Sequence, residues 1–231
     1  MAIKNLFFDL DRTLWDFEKN STNELLYLFN KYKLHQRGIS LPNEFIKIYK
    51  NVNEKCWEKY RKNLLSKEKL RVERFEQTLS FFGISDPILA YKIGEEYVSN
   101  SPYRTDLIFG TIELLDSLFP HYKLNIITNG FNEVQFIKVK QSKLGRFFKH
   151  IITSEAAGAK KPSPKIFNYA LNITDSLIQE SVMIGDDLNT DIEGAINVGM
   201  KNIYFNPNEI KHNINVWNEV SSLSEIKKIL L

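Results

Sequence analysis

Cysteine is all but missing from this chain: Cys56 stands alone, which excludes an internal disulfide and any zinc site built from several thiolates. Its expected role is packing. Histidine is scarce as well, and His35, His121, His150 and His212 show no metal-ligand spacing, so they are read as structural or exposed side chains. No apolar run approaches the roughly 20 residues that cross a bilayer, and an acid arrives as early as Asp9, before a secretory hydrophobic segment could form. A cytoplasmic protein without a membrane partner is therefore expected. No block of one charge sign exists either: the net charge of +3 comes from interspersed acids and bases, which argues against a nucleic-acid partner. Internal repeats and low-complexity stretches are absent too.

What is present is enough apolar material for a full core, with 43% hydrophobic residues in 231, arranged in two rhythms. The β-rich runs IKNLFF, LNIIT near 124, HIIT near 150, SVMIG near 181 and KNIYF near 201 recur between stretches of helical periodicity, the pattern of a parallel sheet flanked by helices. Helix signals follow the strands: FNEVQFIKVKQSKL after the second, Ser163-Pro164 as cap and first-turn proline after the third, and a capping box from Thr190 to Glu193 after the fourth. From about Ser21 to Asn100 this rhythm stops. Phe45, Ile48, Tyr49, Val52, Cys56 and Trp57 fall at helical spacing, as do Val72, Phe75 and Leu79, and no convincing strand intervenes. Such an insertion, placed after the first strand, is read as a lid over the carboxyl edge of the sheet, where open α/β folds bind ligands. The residues from about Val220 to Leu231 read as a closing amphipathic helix.

Chemistry gathers where strands end. Asp9-Leu10-Asp11-Arg12-Thr13 follows the first run, and residues i and i+2 of an extended chain point the same way, so two carboxylates are expected to converge. They tolerate this only with a cation between them or with one proton retained, and either outcome suits nucleophilic and acid–base work; the bland reading is a solvated acidic turn. Thr128-Asn129-Gly130 offers a hydroxyl, an amide and free backbone N–H groups to a phosphate, or simply a turn. Lys160-Lys161-Pro162 offers a cation to phosphate and acids, or two solvated lysines. Gly185-Asp186-Asp187-Leu188-Asn189-Thr190-Asp191 packs three acids behind a buried strand, as a hard-cation site or as helix capping. The conjunction decides: nucleophile pair, hydroxyl, lysine and metal acids, in order, each at an expected strand end.

FFDLDRTL, ITNG, KKPSPKIF and GDDLNTD resemble the four motifs of the haloacid dehalogenase superfamily of aspartyl phosphatases, spanning Asp9 to Asp191. The helical insertion is similar to the cap of the subfamily that carries one after its first motif. ITNGF, NVNEKCWEKY, RFEQTL and KIFNYAL resemble the bacterial pyrimidine 5'-nucleotidase group. The resemblance implies a Rossmann-like, doubly wound α/β core of residues 1–16 and 103–231 with an all-helical cap of residues 17–102. It implies Mg²⁺ as cofactor and Asp9 as nucleophile and metal ligand. Asp11 would be the acid and base, lending the metal its backbone carbonyl, and Asp186 would complete the metal site with support from Asp187 and Asp191. Thr128, Asn129 and Lys161 would hold the phosphoryl group. The chain departs from the usual pattern at Arg12 and at Ala156. In the insertion, Trp57, Tyr60 and Arg74 are candidate substrate contacts, although their helical spacing equally suits packing. The expected substrate is a small phosphate monoester, a nucleoside 5'-monophosphate first and phosphoglycolate or a sugar phosphate as the alternative. Dehalogenation would not need Asp11 or Asp186, a phosphosugar mutase would return phosphate to its substrate, and a receiver domain would have no use for the lid.

Overall fold

The computed structural model describes residues 2–231, which separate into two compact units. One comprises the chain up to Phe17 together with Thr105–Leu231, and the other Glu18–Arg104.

In the first unit six strands form one parallel sheet in the order β3-β2-β1-β4-β5-β6: β1 Asn5–Phe8, β2 Lys123–Thr128, β3 Phe148–Thr153, β4 Ser181–Gly185, β5 Lys201–Phe205 and β6 Asn218–Val220. The five expected runs are the first five strands. Alternation along them sorts side chains to two cores. Leu6, Phe8, Ile126, Val182 and Ile184 pack with Leu114, Leu115, Leu118, Leu223 and Ile226, whereas Phe7, Ile127, Ile152 and Met183 pack with Ile166, Phe167, Ala170 and Ala195. The first set draws on α5 (Thr111–Leu118) and α10 (Leu223–Leu230), the second on α8 (Pro164–Ile173) and α9 (Glu193–Asn197), so both faces are covered in the doubly wound manner. With α6 (Asn132–Gln141) and α7 (Ser154–Ala157), these are the α-helices of this unit beyond its first residues. The chain winds outward from β1 through β2 and β3 on one side and through β4, β5 and β6 on the other. The carboxyl end of β1 is thus the point where winding reverses, and there the crevice of such sheets opens.

Three local readings need correction. β6 has only three residues, Asn-Glu-Val, too short and too polar to stand out as a periodic run, and it exists because it adds to the edge of β5. The turn after β4 is not capped by a Thr190–Glu193 box: Leu188–Ile192 forms a π-type turn whose cap is Asp187, accepting from the N–H groups of Asn189 (2.9 Å) and Thr190 (3.2 Å). The capping box of this unit lies instead at Ser222 and Glu225, which open α10 three residues later than Val220. By contrast Ser163-Pro164 starts α8 as read, with the serine side chain accepting from Lys165 N.

The second unit is helical: α1 Phe17–Lys31, which begins one residue before the unit does, then α2 Pro42–Arg61, α3 Lys67–Phe81 and α4 Pro87–Asn100. Pro42 and Pro87 occupy first-turn positions where no N–H is needed, and Ser66 and Asp86 cap α3 and α4 through Lys69 N and Leu89 N. Their apolar faces close over Leu25, Leu28, Phe45, Tyr49, Phe75, Leu79, Ile93 and Tyr97. Tyr49, Phe75 and Tyr97 form a ring cluster with centroids 4.9–5.6 Å apart.

The approach of α4 to α3 depends on Gly94, where an added Cβ would lie 2.6 Å from the backbone oxygen of Arg71. A carbonyl in a helix cannot step aside. The overpacking cost of about 1–3 kcal/mol should therefore outweigh the roughly 1 kcal/mol that alanine gains over glycine in a helix. Gly94→Ala is expected to lower the urea midpoint by the equivalent of about 1 kcal/mol with an unchanged m-value; an unchanged or higher midpoint would show that the helices can separate freely.

Candidate active site

The loop after β1 leaves the sheet by a tight turn. Arg12, at φ 67°, occupies the left-handed region, and its N–H returns to the carbonyl of Trp15 (2.9 Å). Asp9 and Asp11 stay near enough for the Asp11 charge to bear on Asp9, while their carboxylates make different hydrogen bonds. Asp9 N donates to Ile184 O (2.8 Å), which places Asp9 beside the end of β4. The Asp11 carboxylate accepts from Lys138 Nζ (2.5 Å) and Gln135 Nε2 (2.9 Å) on α6.

Lys161, buried to 2% exposure, sits at the centre of the site. Its ammonium donates to Asp9 Oδ1 (2.6 Å), Asp191 Oδ1 (2.6 Å) and the carbonyl of Ile127 (2.8 Å), so its three N–H bonds are all committed. Its backbone is fixed by Asn129: Lys161 N donates to Asn129 Oδ1 (2.8 Å), and Asn129 Nδ2 donates to Lys161 O (3.0 Å). Asn129, expected beside a phosphate, thus acts here on the lysine loop. The Lys161–Pro162 peptide bond is cis.

Asp186 receives the Thr13 hydroxyl (2.9 Å), tying the loop after β1 to the loop after β4. Asp191 lies against Gly185, whose missing side chain makes the room: a Cβ there would stand 2.2 Å from Asp191 Oδ2. The same oxygen accepts from Asp187 N (3.2 Å). Asp9, Asp186 and Asp191 each bring one carboxylate oxygen into a group whose members lie within 4.8 Å of one another. Asp11 brings no carboxylate to this group, and Asp191 stands in it.

This group is overcharged. Burial pushes the Asp9 carboxyl up to about 7, against the pull of Lys161, with Asp191 and Asp11 adding to the rise. Burial, then Asp9 and Asp191, hold Asp186 well above the usual carboxylate range. Asp191 is raised by burial and partly relieved by Lys161, whose own ammonium is held charged by Asp191 and Asp9 in spite of burial. Three carboxylates face one buried ammonium, with Arg12 adding a weaker pull on Asp186, and a divalent cation would offset the negative excess. The donor set fits one. All three ligands are hard carboxylate oxygens, and they lie within 4.8 Å of one another, near enough to face one small cation.

Thr128, at the end of β2, is joined to Asp11 through Gln135, whose Nε2 reaches Thr128 Oγ1 (2.6 Å). Neither Gln135 nor Lys138 was singled out from sequence. The available signal was two polar residues three apart on a helix that must bury one face. Trp57, Tyr60 and Arg74 belong to the helical unit. Trp57 meets Tyr60 edge-on at 5.4 Å, and Arg74, 3% exposed, donates to Asn53 (3.0 Å) with its guanidinium 4.8 Å from the Tyr97 ring centre. Arg74 therefore serves the unit's own packing, where its cation is stabilised by an amide and ring faces.

Residues 6–205 match the family described as haloacid dehalogenase-like hydrolase. Pyrimidine 5'-nucleotidase YjjG of Escherichia coli is 28% identical over 97% of this chain and 96% of its own. Glyceraldehyde 3-phosphate phosphatase of Pyrococcus abyssi is 33% identical over 88% of this chain and 81% of its own. The magnesium-bound crystal structure of the HAD-hydrolase YfnB of Bacillus subtilis superposes with a TM-score of 0.90 at 28% identity, covering 100% of this chain and 99% of that one. Among the described residues no helix is long and apolar enough to cross a membrane.

The raised carboxyls dictate a pH dependence. Without a divalent cation the folded protein keeps a proton on Asp9 that the unfolded chain releases near pH 4, so this group costs stability increasingly as pH rises from about 4 to 7. Lys161, with a folded value above its unfolded one, contributes stability that persists until pH passes the lysine range, and does not offset that slope. Millimolar Mg²⁺ should therefore raise the melting temperature by an increment that is small near pH 4 and grows through pH 7. Scanning calorimetry with and without the ion reads it, and an increment independent of pH would contradict the charge assignment.

Proposed function

Since the chain belongs to the haloacid dehalogenase-like hydrolase family, we propose that it is a Mg²⁺-dependent phosphatase of small phosphate monoesters, working through a phosphorylated Asp9, with nucleoside 5'-monophosphates as substrates. The observation that carries this reading is the buried Asp9 carboxylate seated between Lys161 and the acids Asp186 and Asp191, with a separate carboxylate, Asp11, two residues on. Displacing halide from carbon needs the first carboxylate alone. Displacing an alcohol from phosphorus also needs charge neutralised on the phosphoryl oxygens and a proton for the leaving oxygen.

Asp9 attacks phosphorus in line, and the phosphorus–oxygen ester bond breaks with its electron pair going to the leaving oxygen, which takes a proton from the Asp11 carboxyl. Water then attacks the aspartyl phosphate while Asp11 takes its proton, the bond to Asp9 breaks, and inorganic phosphate and both carboxyl groups are regenerated. Lys161 exchanges one of its present contacts for a phosphoryl oxygen, and the Thr128 hydroxyl donates to another. A bound magnesium ion, held by Asp9, Asp186 and the Asp11 backbone carbonyl with Asp191 in support, would supply charge neutralisation at the phosphoryl group. The helical unit Glu18–Arg104 acts as the cap that selects substrates, in keeping with its insertion after the first motif.

The nucleotide assignment rests on near full-length similarity to a pyrimidine 5'-nucleotidase; the triose-phosphate phosphatase relative defines the competing substrate class. In phosphate-release assays with Mg²⁺, UMP and dTMP should exceed AMP, phosphoglycolate, glyceraldehyde 3-phosphate and hexose phosphates. Faster release from the triose phosphate would move the assignment to that class. Asp9→Asn should abolish turnover, by at least about 10³-fold, while the melting temperature is kept or raised, because one of the crowded negative charges is removed. Retained activity would defeat the nucleophile assignment.

A further inference from the structure

Two polar side chains on the inward face of α6 have no place in an ordinary helix–sheet contact. Gln135 is fully buried and Lys138 is 5% exposed, three residues apart and therefore neighbours on one face. Burying them costs free energy that a pair of aliphatic residues would not incur, and a buried ion pair is weak evidence of added stability. Their hydrogen bonds point instead to orientation.

Gln135 Nε2 donates one hydrogen to Asp11 Oδ2 (2.9 Å) and the other to Thr128 Oγ1 (2.6 Å), while its Oε1 is buried without a partner. The NH₂ end is the one that faces Asp11, and both of its hydrogens find oxygen acceptors. Thr128 Oγ1 also accepts from Gly130 N (3.1 Å). A hydroxyl has two acceptor positions and one proton; with both positions filled, the Thr128 O–H is left to donate elsewhere. The room for this amide comes from Gly130, where a Cβ would lie 2.1 Å from Gln135 Nε2. Lys138 holds the other oxygen of Asp11 at 2.5 Å, and its ammonium lies 4.2 Å from the Trp15 ring centre, so a ring face and a carboxylate fix it from two directions.

The geometry points to Gln135 and Lys138 as positioning residues that set the two protons of the reaction: Gln135 turns the Thr128 hydroxyl toward a phosphoryl oxygen, and both together fix the carboxyl of Asp11 against the leaving group. This rests on the reading of Asp11 as acid and base. Neither residue touches substrate. Their effect travels through Asp11 and Thr128, and a leaving group that needs no proton should be indifferent to Lys138.

The test compares kcat/KM of the full chain in millimolar Mg²⁺ on an alkyl ester, UMP, and on 4-nitrophenyl phosphate, whose phenolate departs unprotonated. Lys138→Met is expected to lose on the order of 10²-fold on UMP and no more than a few-fold on the aryl ester. Gln135→Leu is expected to lose about tenfold on both esters through the Thr128 donor and a further factor on UMP alone, and to weaken inhibition by inorganic phosphate about tenfold, the loss of one oriented donor. Lys138→Arg, which restores a cation to Asp11, should recover part of the UMP rate. Equal losses on the two esters, or no loss on either, would mean a structural role and overturn the inference. Should Lys138→Met fail to fold, Lys138→Gln carries the same comparison. Asp11→Asn is the reference: if it shows the ester contrast and the α6 variants do not, the inference falls alone, and if it shows none, the reading of Asp11 falls and takes the inference with it.

Discussion

An ammonium group buried among two carboxylates and a backbone carbonyl is what the rest of this molecule is arranged around. Lys161 Nζ touches Asp9 after β1, Ile127 within β2 and Asp191 after β4, while its own backbone, in the loop beyond α7, is gripped by Asn129 at the end of β2. These segments lie up to 152 residues apart in sequence and meet only because the parallel register brings their strand ends to one edge. A lysine so placed has given up its hydration entirely. The contacts that offset this must all be present together, which makes the strand ends interdependent.

The same arrangement leaves the site short of positive charge. One ammonium faces Asp9, Asp186 and Asp191, and burial drives the three acids toward their neutral forms. A hard dication would resolve that conflict, and the Bacillus subtilis relative was crystallised with magnesium bound. Two glycines make the crowding possible. Gly185 lets Asp191 press against the end of β4, and Gly130 lets the Gln135 amide slide between Asp11 and Thr128. Neither has a positive φ, so at both the requirement is space rather than turn geometry.

The helical unit handles a buried cation differently. Arg74 is surrounded by Tyr49, Phe75 and Tyr97 and bonded to Asn53, with ring faces and an amide where the catalytic unit uses carboxylates. That solution places no carboxylate against the cation inside the ring cluster of Tyr49, Phe75 and Tyr97. Arg74 is thus better understood as part of what keeps the four helices together than as a hand extended to a ligand.

Much of this was legible in the linear order. Apolar alternation marks the first five strands, a proline after a serine marks the start of α8, and a long stretch of helical spacing marks the insertion, because each signal lies within a few residues of the structure it specifies. The acids, hydroxyl and lysine at strand ends were legible for the same reason, together with the hydrolase family they imply. Which of them meet was decided only in three dimensions. Asp9 pairs with Lys161 while Asp11 pairs with α6, the π-type turn carries Asp191 into the carboxylate group, and parallel pairing brings α6 with Gln135 and Lys138 to Asp11, across 124 and 127 residues. Local sequence determines what a segment can be; hydrogen-bond partners at such separations depend on the registration of one strand against the next, and no short stretch of chain carries that information.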